Sequence, residues 1–493
     1  MSTSTNVDLE RLARGCLMAS FVGHEAPAWL LDEVAAGLGA VALFTPNIRS
    51  DAQTAALVAM LRSARPDIVI AIDEEGGDVT RLDAQTGSLS PGNAALGAVD
   101  DVEATAAAYR VIGRRLSSLG IDMNLAPCAD VNSDPRNPVI GVRSFGSDPG
   151  LVARHVRAAV DGLQSVGVAA CVKHYPGHGA TVDDSHLALP VIDLDVADLR
   201  RRELVPFSAA VDAGAASIMT AHIVVSRVDD VPATRSPRTI GMLRDGLDYH
   251  GVIVSDALDM AGAHGAGIAA GDVTAEMIGS AAVASLDAGC DLLCLGARQG
   301  PDVPAAAMKA IVQAVGDGVL SVRDLVESQR RRTRLRHSNR IVDADHEADA
   351  STVESVARRA ITGATPGPLR GAVVVDCRPG VSVANFDVAW GLGPDVAAID
   401  PTAIAMDATS DAEANRIVEA ARDRPLVVSV RGAAAHRWQQ RLVDRIRAQR
   451  PDAVIVDLGW PGRPRTATLT TWGASRSSTR AVAEVLCGPD PDG

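Results

Sequence analysis

No uninterrupted apolar run in this sequence reaches the ~18–20 residues that a membrane-crossing helix needs, which excludes a transmembrane segment of that kind. The opening stretch, MSTSTNVDLERLARG, has no cationic start followed by an apolar core, so no secretory signal is expected there. Positive charge is in deficit. There are 47 Lys and Arg against 61 Asp and Glu, a net charge of -14, and that field opposes nucleic acid and anionic membranes as partners. Cysteine is sparse and odd in number, with seven in 493 residues. Most of these lie in or beside apolar strand-like runs, so buried free thiols in a reducing cytoplasm are expected rather than a disulfide framework. Aromatic residues amount to only 3%, while alanine, valine and glycine abound. The chain has no HExxH, and neither a P-loop nor GxGxxG follows the first strand of its C-terminal part, so neither a helix-borne zinc pair nor nucleotide binding is supported. We expect no metal and no cofactor.

What is present is a repeating rhythm. Strand-like apolar runs fall at Leu17–Val22, Val41–Phe44, Ile68–Ile72, Met123–Ala126, Val168–Val172, Ser217–Ala221, Val252–Val254 and Asp291–Leu295. Alanine-rich segments of helical spacing lie between them, among them Asp100–Leu119, Gly150–Val166 and Ala275–Ala288. Eight such strands alternating with helices predict a (β/α)8 TIM barrel over residues 1–340, closed by a helix at Ser321–Arg336. Residues 341–369 are charged, carry no strand pattern and read as a connector. From 370 to 493 the rhythm resumes in AVVVDC, VAAID, LVVSV and AVIVDLGWPG, which predicts a smaller, doubly wound α/β domain.

Polar groups gather where these strands end, which is where such a barrel carries its chemistry. The densest cluster is KHYPGHGATVDDSHLALP, from Lys173 to Pro190, which places His174, His178, His186, Asp183 and Asp184 on a loop rich in Gly and Pro. After the third strand come Asp73, Glu74, Glu75 and Arg81, and after the fourth come Asp130 and Arg143. Asp256 follows the seventh strand, either as the N-cap of a following helix or as a carboxylate aimed into the barrel mouth. Asp259 reads as the start of the next helix and His178 as a brace for its loop, and His222 is either a core residue or part of a pocket.

Taken in order, IDEEGGDVTRL, NLAPCADV, NPVIGVRSFG, KHYPGHGATVDDSH and VIVSDALDM resemble glycoside hydrolase family 3, over most of residues 10–300. KHYPGHG followed by DSH is similar to that family's β-N-acetylglucosaminidase branch. DLGWPG and WGASR look like the second domain of its two-domain actinobacterial members. The resemblance implies a nucleophile at Asp256 that forms a glycosyl-enzyme and an acid/base dyad of Asp184 and His186. It also implies that Asp73, Arg81, Arg143, Lys173 and His174 hold the hydroxyls and acetamido region of the terminal sugar. The chain departs from the family's pattern at Ala180 and at Cys128–Ala129, which bears on fine specificity more than on the reaction.

The chemistry makes sense of these residue types. Cleavage with retention needs a carboxylate below the ring and a proton donor near the leaving oxygen, typically ~5–5.5 Å apart. Histidine, with an ordinary pKa of ~6.5, gives and takes a proton near neutrality, and one carboxylate beside it orients the ring. The expected activity is that of a retaining exo-β-N-acetylglucosaminidase acting on small amino-sugar glycosides such as cell-wall fragments, in a cytoplasmic peptidoglycan-recycling role. A phosphorylase with the same nucleophile and dyad is the close alternative. A metal-dependent hydrolase built on His174, His178, His186 and Asp184 is a more distant one, as is a catalytically silent sugar-binding protein.

Overall fold

The computed structural model describes residues 3–185, 188–335, 346–378, 388–433, 436–461 and 467–488. Eight parallel strands close into a barrel: Leu17–Ala19, Ala40–Leu43, Val69–Ile72, Met123–Asn124, Ala169–Tyr175, Ser217–Thr220, Val252–Ser255 and Leu292–Cys294. Each coincides with one of the eight apolar runs. The first strand pairs with both the second and the eighth, so the sheet has no open edge.

Alternation along each strand divides the core in two. Leu17, Val41, Leu43, Ile70, Ile72, Ile253 and Leu293 point outward into the layer between strands and helices. Met18, Ala40, Ala42, Val69, Ala71, Val252, Val254 and Leu292 fill the barrel interior. The outer helices start where local chemistry supplies a cap. Asp101 accepts from the Ala104 N–H at the head of Val102–Ser118, and Asp148 from the Leu151 N–H at the head of Pro149–Ser165. The closing helix is Val322–Arg334, capped by Ser321.

Three sequence expectations need correction. The fifth strand does not end at Val172 but runs through Lys173 and His174 to Tyr175, with a register shift against the sixth. Apolarity marked the part of the strand inside the core and missed the buried polar part at the mouth. The span read as connector contains a helix, His346–Arg359. Its buried positions Val353, Val356 and Ala357 keep helical spacing among the charges, and Asp349 receives Arg110 at 2.6 Å and Arg114 at 2.7 Å from the barrel helix Val102–Ser118. VAAID is no strand but the end of the helix Leu392–Ile399, and the strand beside it is Ile404–Ala408, an edge strand exposed along most of its length. An exposed edge leaves no continuous apolar run to read.

The second sheet has six strands in the order Thr362–Gly363, Leu469–Thr470, Val454–Asp457, Leu426–Val430, Val373–Cys377, Ile404–Ala408, and only the first pairing is antiparallel. Val373, Val375 and Val428 face the helices Ala414–Ala420 and Arg437–Gln449; Val374, Val427 and Val456 face Leu392–Ile399 and Arg476–Cys487. This sheet is tied to the barrel. Asp78 pairs with Arg431 at 2.7 Å and accepts the Ala474 N–H at 2.7 Å, and the Ala389 N–H donates to the Ala84 carbonyl at 2.7 Å. Among the described residues no helix is long and apolar enough to cross a membrane, and all seven cysteines are buried free thiols.

Candidate active site

A cavity of about 300 Å³ opens at the C-terminal ends of the barrel strands. Its floor is the top of the barrel interior, formed by Leu125, Met219 and Cys294. Asp73, Arg81, Arg143, Lys173, His174 and Asp256 line it. Six side chains that the sequence scatters over 184 positions therefore meet at one mouth, because parallel strands deliver their ends to the same face.

The wall is an interlocked set of charges. Lys173 Nζ lies 2.5 Å from Asp73 and 2.7 Å from Glu75; Arg81 pairs with Asp73, and Arg143 forms a two-pronged pair with Glu75 at 2.7 and 3.0 Å. Burial works against ionisation of Asp73, but Lys173 and Arg81 outweigh it and hold the carboxyl below the usual carboxylate range. Glu75 is held low in the same way by Arg143 and Lys173. Burial alone would lower Lys173, yet Asp73 and Glu75 keep it firmly protonated. Glu74 turns the other way: its carboxylate accepts the N–H groups of Arg81 at 2.7 Å and Leu82 at 3.0 Å, and burial raises it to about 7.

Behind this wall, Asp130 is fully buried and organises the fifth-strand loop. It accepts the His174 Nδ1 proton at 2.7 Å, the His178 backbone N–H at 2.6 Å and the Cys128 thiol at 3.1 Å. Desolvation opposes its charge, and His174 overcomes that to hold the carboxyl below the usual range. With Nδ1 committed to Asp130, His174 turns Nε2 toward Arg143 at 3.3 Å, in the cavity wall. His178 contacts Thr181 at 2.8 Å and Ser185 at 2.9 Å, and burial lowers it to about 4, so it sits neutral as the brace of its loop. Gly177 has φ +131, and the Cα of Gly179 packs against the Val131 carbonyl so closely that a side chain has no room.

Asp256 stands just past the seventh strand, half-buried, with its carboxylate accepting the Ala257 N–H at 2.8 Å. No helix begins there: the next α-helix is Ala275–Asp287, capped by Thr274. Asp259 likewise starts no α-helix; the short 3-10 helix Ala261–Ala263 just beyond it has Met260 as its N-cap. Asp259 lines the cavity and accepts from the Ala297 N–H and the Gln299 side chain, joining the loops that follow the seventh and eighth strands. His222 is buried and holds the Ala257 carbonyl at 3.0 Å, one residue past Asp256. Asp184 is half-buried, next to Ser185, which lines the cavity. His186 lies outside the described residues.

Among the described residues, Cys128, Asp130 and His174 form a group with metal-ligand atoms within 4.8 Å of one another. Asp130 already takes hydrogen bonds from both of the others and from His178, which makes the group a brace rather than an open coordination site. The sequence reading of Glu74 and Glu75 as backbone-binding or salt-bridge groups near the pocket floor holds: Glu74 binds backbone N–H groups and Glu75 pairs with Arg143 and Lys173. The sequence gives Asp130 no role beyond its place at a strand end, because its partners His174 and His178 come from a distant motif.

The model of the glycosyl hydrolase family 3 N terminal domain matches residues 18–335. The chain is 36% identical over 329 residues to a beta-hexosaminidase of Stenotrophomonas maltophilia, covering 62% of this chain and 94% of that one. It is 40% identical over 249 residues to the beta-hexosaminidase A of Pseudoalteromonas piscicida, covering 46% of this chain and only 42% of that one. Among solved structures, a family 3 beta-N-acetylglucosaminidase from Paenibacillus sp. str. FPU-7 aligns with a TM-score of 0.85 at 31% identity, over 97% of this chain and 96% of that chain.

Proposed function

Because the chain belongs to glycoside hydrolase family 3, we propose that it is a retaining exo-β-N-acetylglucosaminidase that removes terminal β-linked N-acetylglucosamine from small amino-sugar glycosides. The observation that carries this reading is the single cavity that Asp256 shares with Asp73, Arg81, Arg143, Lys173 and His174, of a size for one sugar ring. The relatives named beta-hexosaminidase support the substrate class. Seven buried free thiols support work in the cytoplasm, where cell-wall fragments would be recycled.

In this mechanism an Asp256 oxygen attacks the anomeric carbon as the bond to the leaving oxygen breaks, and His186, oriented by Asp184, gives that oxygen its proton. The product is a glycosyl ester on Asp256. Water then attacks the anomeric carbon, returns a proton to His186 and frees the Asp256 carboxylate. The ion-pair wall presents fixed N–H and carboxylate groups to sugar hydroxyls at no cost of reorganisation in the transition state.

Water is the favoured acceptor over phosphate. Arg81, Arg143 and Lys173 each face Asp73 or Glu75, so the wall suits a neutral ring better than a second anion. The test is a panel of aryl β-glycosides differing at C2, assayed in phosphate and in a non-phosphate buffer. We expect the N-acetyl substrate to be preferred, with equal rates in both buffers and free sugar as product. Sugar 1-phosphate accumulating in phosphate buffer would reassign the acceptor, and equal rates on the 2-hydroxy sugar would remove the acetamido specificity.

A further inference from the structure

A second and larger cavity, about 1130 Å³ against 300 Å³ at the sugar site, opens where the barrel meets the six-stranded sheet. The glycosidase chemistry makes no use of it. Three helices wall it, Val102–Ser118, His346–Arg359 and Arg476–Cys487, together with the loop 82–90. Its lining is mixed. Leu82, Val111, Ile112 and Val353 supply apolar surface, beside Arg114 and the Asp83–Arg115 ion pair. Arg358, Arg476 and Arg480 line it together with Glu354 and Glu484. Arg358 and Arg480 share Glu484 at 3.9 and 3.6 Å, and Arg476 has no ion-pair partner among the described residues.

The cavity also approaches the catalytic mouth at Glu74. Glu74 lines it, and the same carboxylate accepts the Arg81 and Leu82 N–H groups; Arg81 in turn pairs with Asp73 in the sugar wall. We propose that this cavity is an effector site for a small amphipathic anion, an apolar or aromatic body bearing one carboxylate, sulfonate or phosphate group, and that its occupancy reaches the sugar site through Glu74. The apolar body lies on the Val111 side and the anionic group among the arginines, as in most small-ligand pockets, where apolar lining supplies area and a few polar groups fix orientation. Burial already raises Glu74 to about 7, and the nearby Asp83 acts in the same direction. An anion and the loss of water there favour its protonated form, which is the poorer acceptor for the Arg81 and Leu82 N–H groups. The Asp73–Arg81 pair then loosens and sugar binding weakens.

The test uses 8-anilinonaphthalene-1-sulfonate, which combines an aromatic body with one sulfonate. Its fluorescence is titrated against the full-length protein, against Val111→Trp, which fills the apolar side, and against Arg476→Glu/Arg480→Glu, which reverses the charge. We expect saturable binding at one site, at least tenfold weaker in both variants, with the melting temperature and basal kinetics of both unchanged. In the wild type the probe should raise KM for an aryl glycoside at least threefold with little change in kcat, and it should leave KM of the Val111→Trp variant unaltered. Equal probe affinity in all three proteins would overturn the site, and tight binding with KM unmoved would overturn the coupling. The fluorescence measurement needs no turnover, so it tests the site even where the sugar assignment fails.

Discussion

At the residue scale the site is governed by which carboxylates stay charged. Asp73, Glu75 and Asp130 are held below their ordinary range, so the stability they contribute is fully present above about pH 4 and drains away as the pH falls below it. Glu203 has the opposite sign. It is fully buried beside Gly177 of the fifth-strand loop, one of its oxygens has no hydrogen-bond partner among the described residues, and burial raises it to about 7 against the pull of Arg202. Its contribution is present below the ordinary glutamate range and is lost as the pH rises through 7. Glu203→Gln should therefore stabilise the protein by about 1–2 kcal/mol at pH 8 and by almost nothing at pH 5, as read from denaturant melts at the two pH values. Asp256 is only half-buried and accepts its neighbour's N–H, so an isosteric amide there should spare the fold. Asp256→Asn is expected to lower kcat/KM by roughly 10³-fold or more with an unchanged melting temperature. Retained turnover in that variant would remove Asp256 from the role of nucleophile.

The relevant elements are the ends of strands and the loops that follow them. The fifth strand is the clearest case: its polar end, Lys173 to Tyr175, is as deeply buried as its apolar start. The loop after it lies against the segment that carries Asp130, and at Gly179 there is no space for a side chain beside the Val131 carbonyl. A methyl group there has to push the two segments apart, moving His178 and the Asp130 brace together. Gly179→Ala should cost about 1–3 kcal/mol of stability and lower kcat/KM by roughly 10²-fold, a loss that thermal melts and steady-state kinetics on one sample will register. Most barrel elements were legible in the sequence, because a strand packed on both faces leaves a continuous apolar run and a capped helix announces its start with Asp, Ser or Thr. The helix His346–Arg359 and the edge strand Ile404–Ala408 were not. The first hides a narrow apolar stripe among charges, and the second buries too little to leave a pattern.

On the scale of the whole molecule, the second sheet belongs to the site's support. Asp78 lies three residues past Glu75, and its carboxylate is held by the other domain, through Arg431 and the Ala474 N–H. Asp78→Ala strands a mostly buried Arg431 and should cost about 3 kcal/mol. Because the same loop carries Asp73 and Glu75, KM should rise more than kcat falls, and a variant whose melting temperature drops with KM unchanged would confine Asp78 to a structural role.

The order of elements, the eight strands and the residue types at their ends were determined by the sequence, because burial pattern, caps and turn chemistry act over a few neighbouring positions. Local reading placed polar groups at the strand ends, and the resemblance of those motifs to the family singled out Asp73, Arg81, Arg143, Lys173, His174 and Asp256 among them. Only the closed barrel decided that these six line one cavity, that Glu75 balances its cations and that Asp130 braces His174. It also decided that Glu74 stands between the second cavity and the Arg81 backbone. Those facts depend on distances between residues far apart in the chain, and a distance of that kind is set by how the layers pack rather than by any stretch of neighbouring residues.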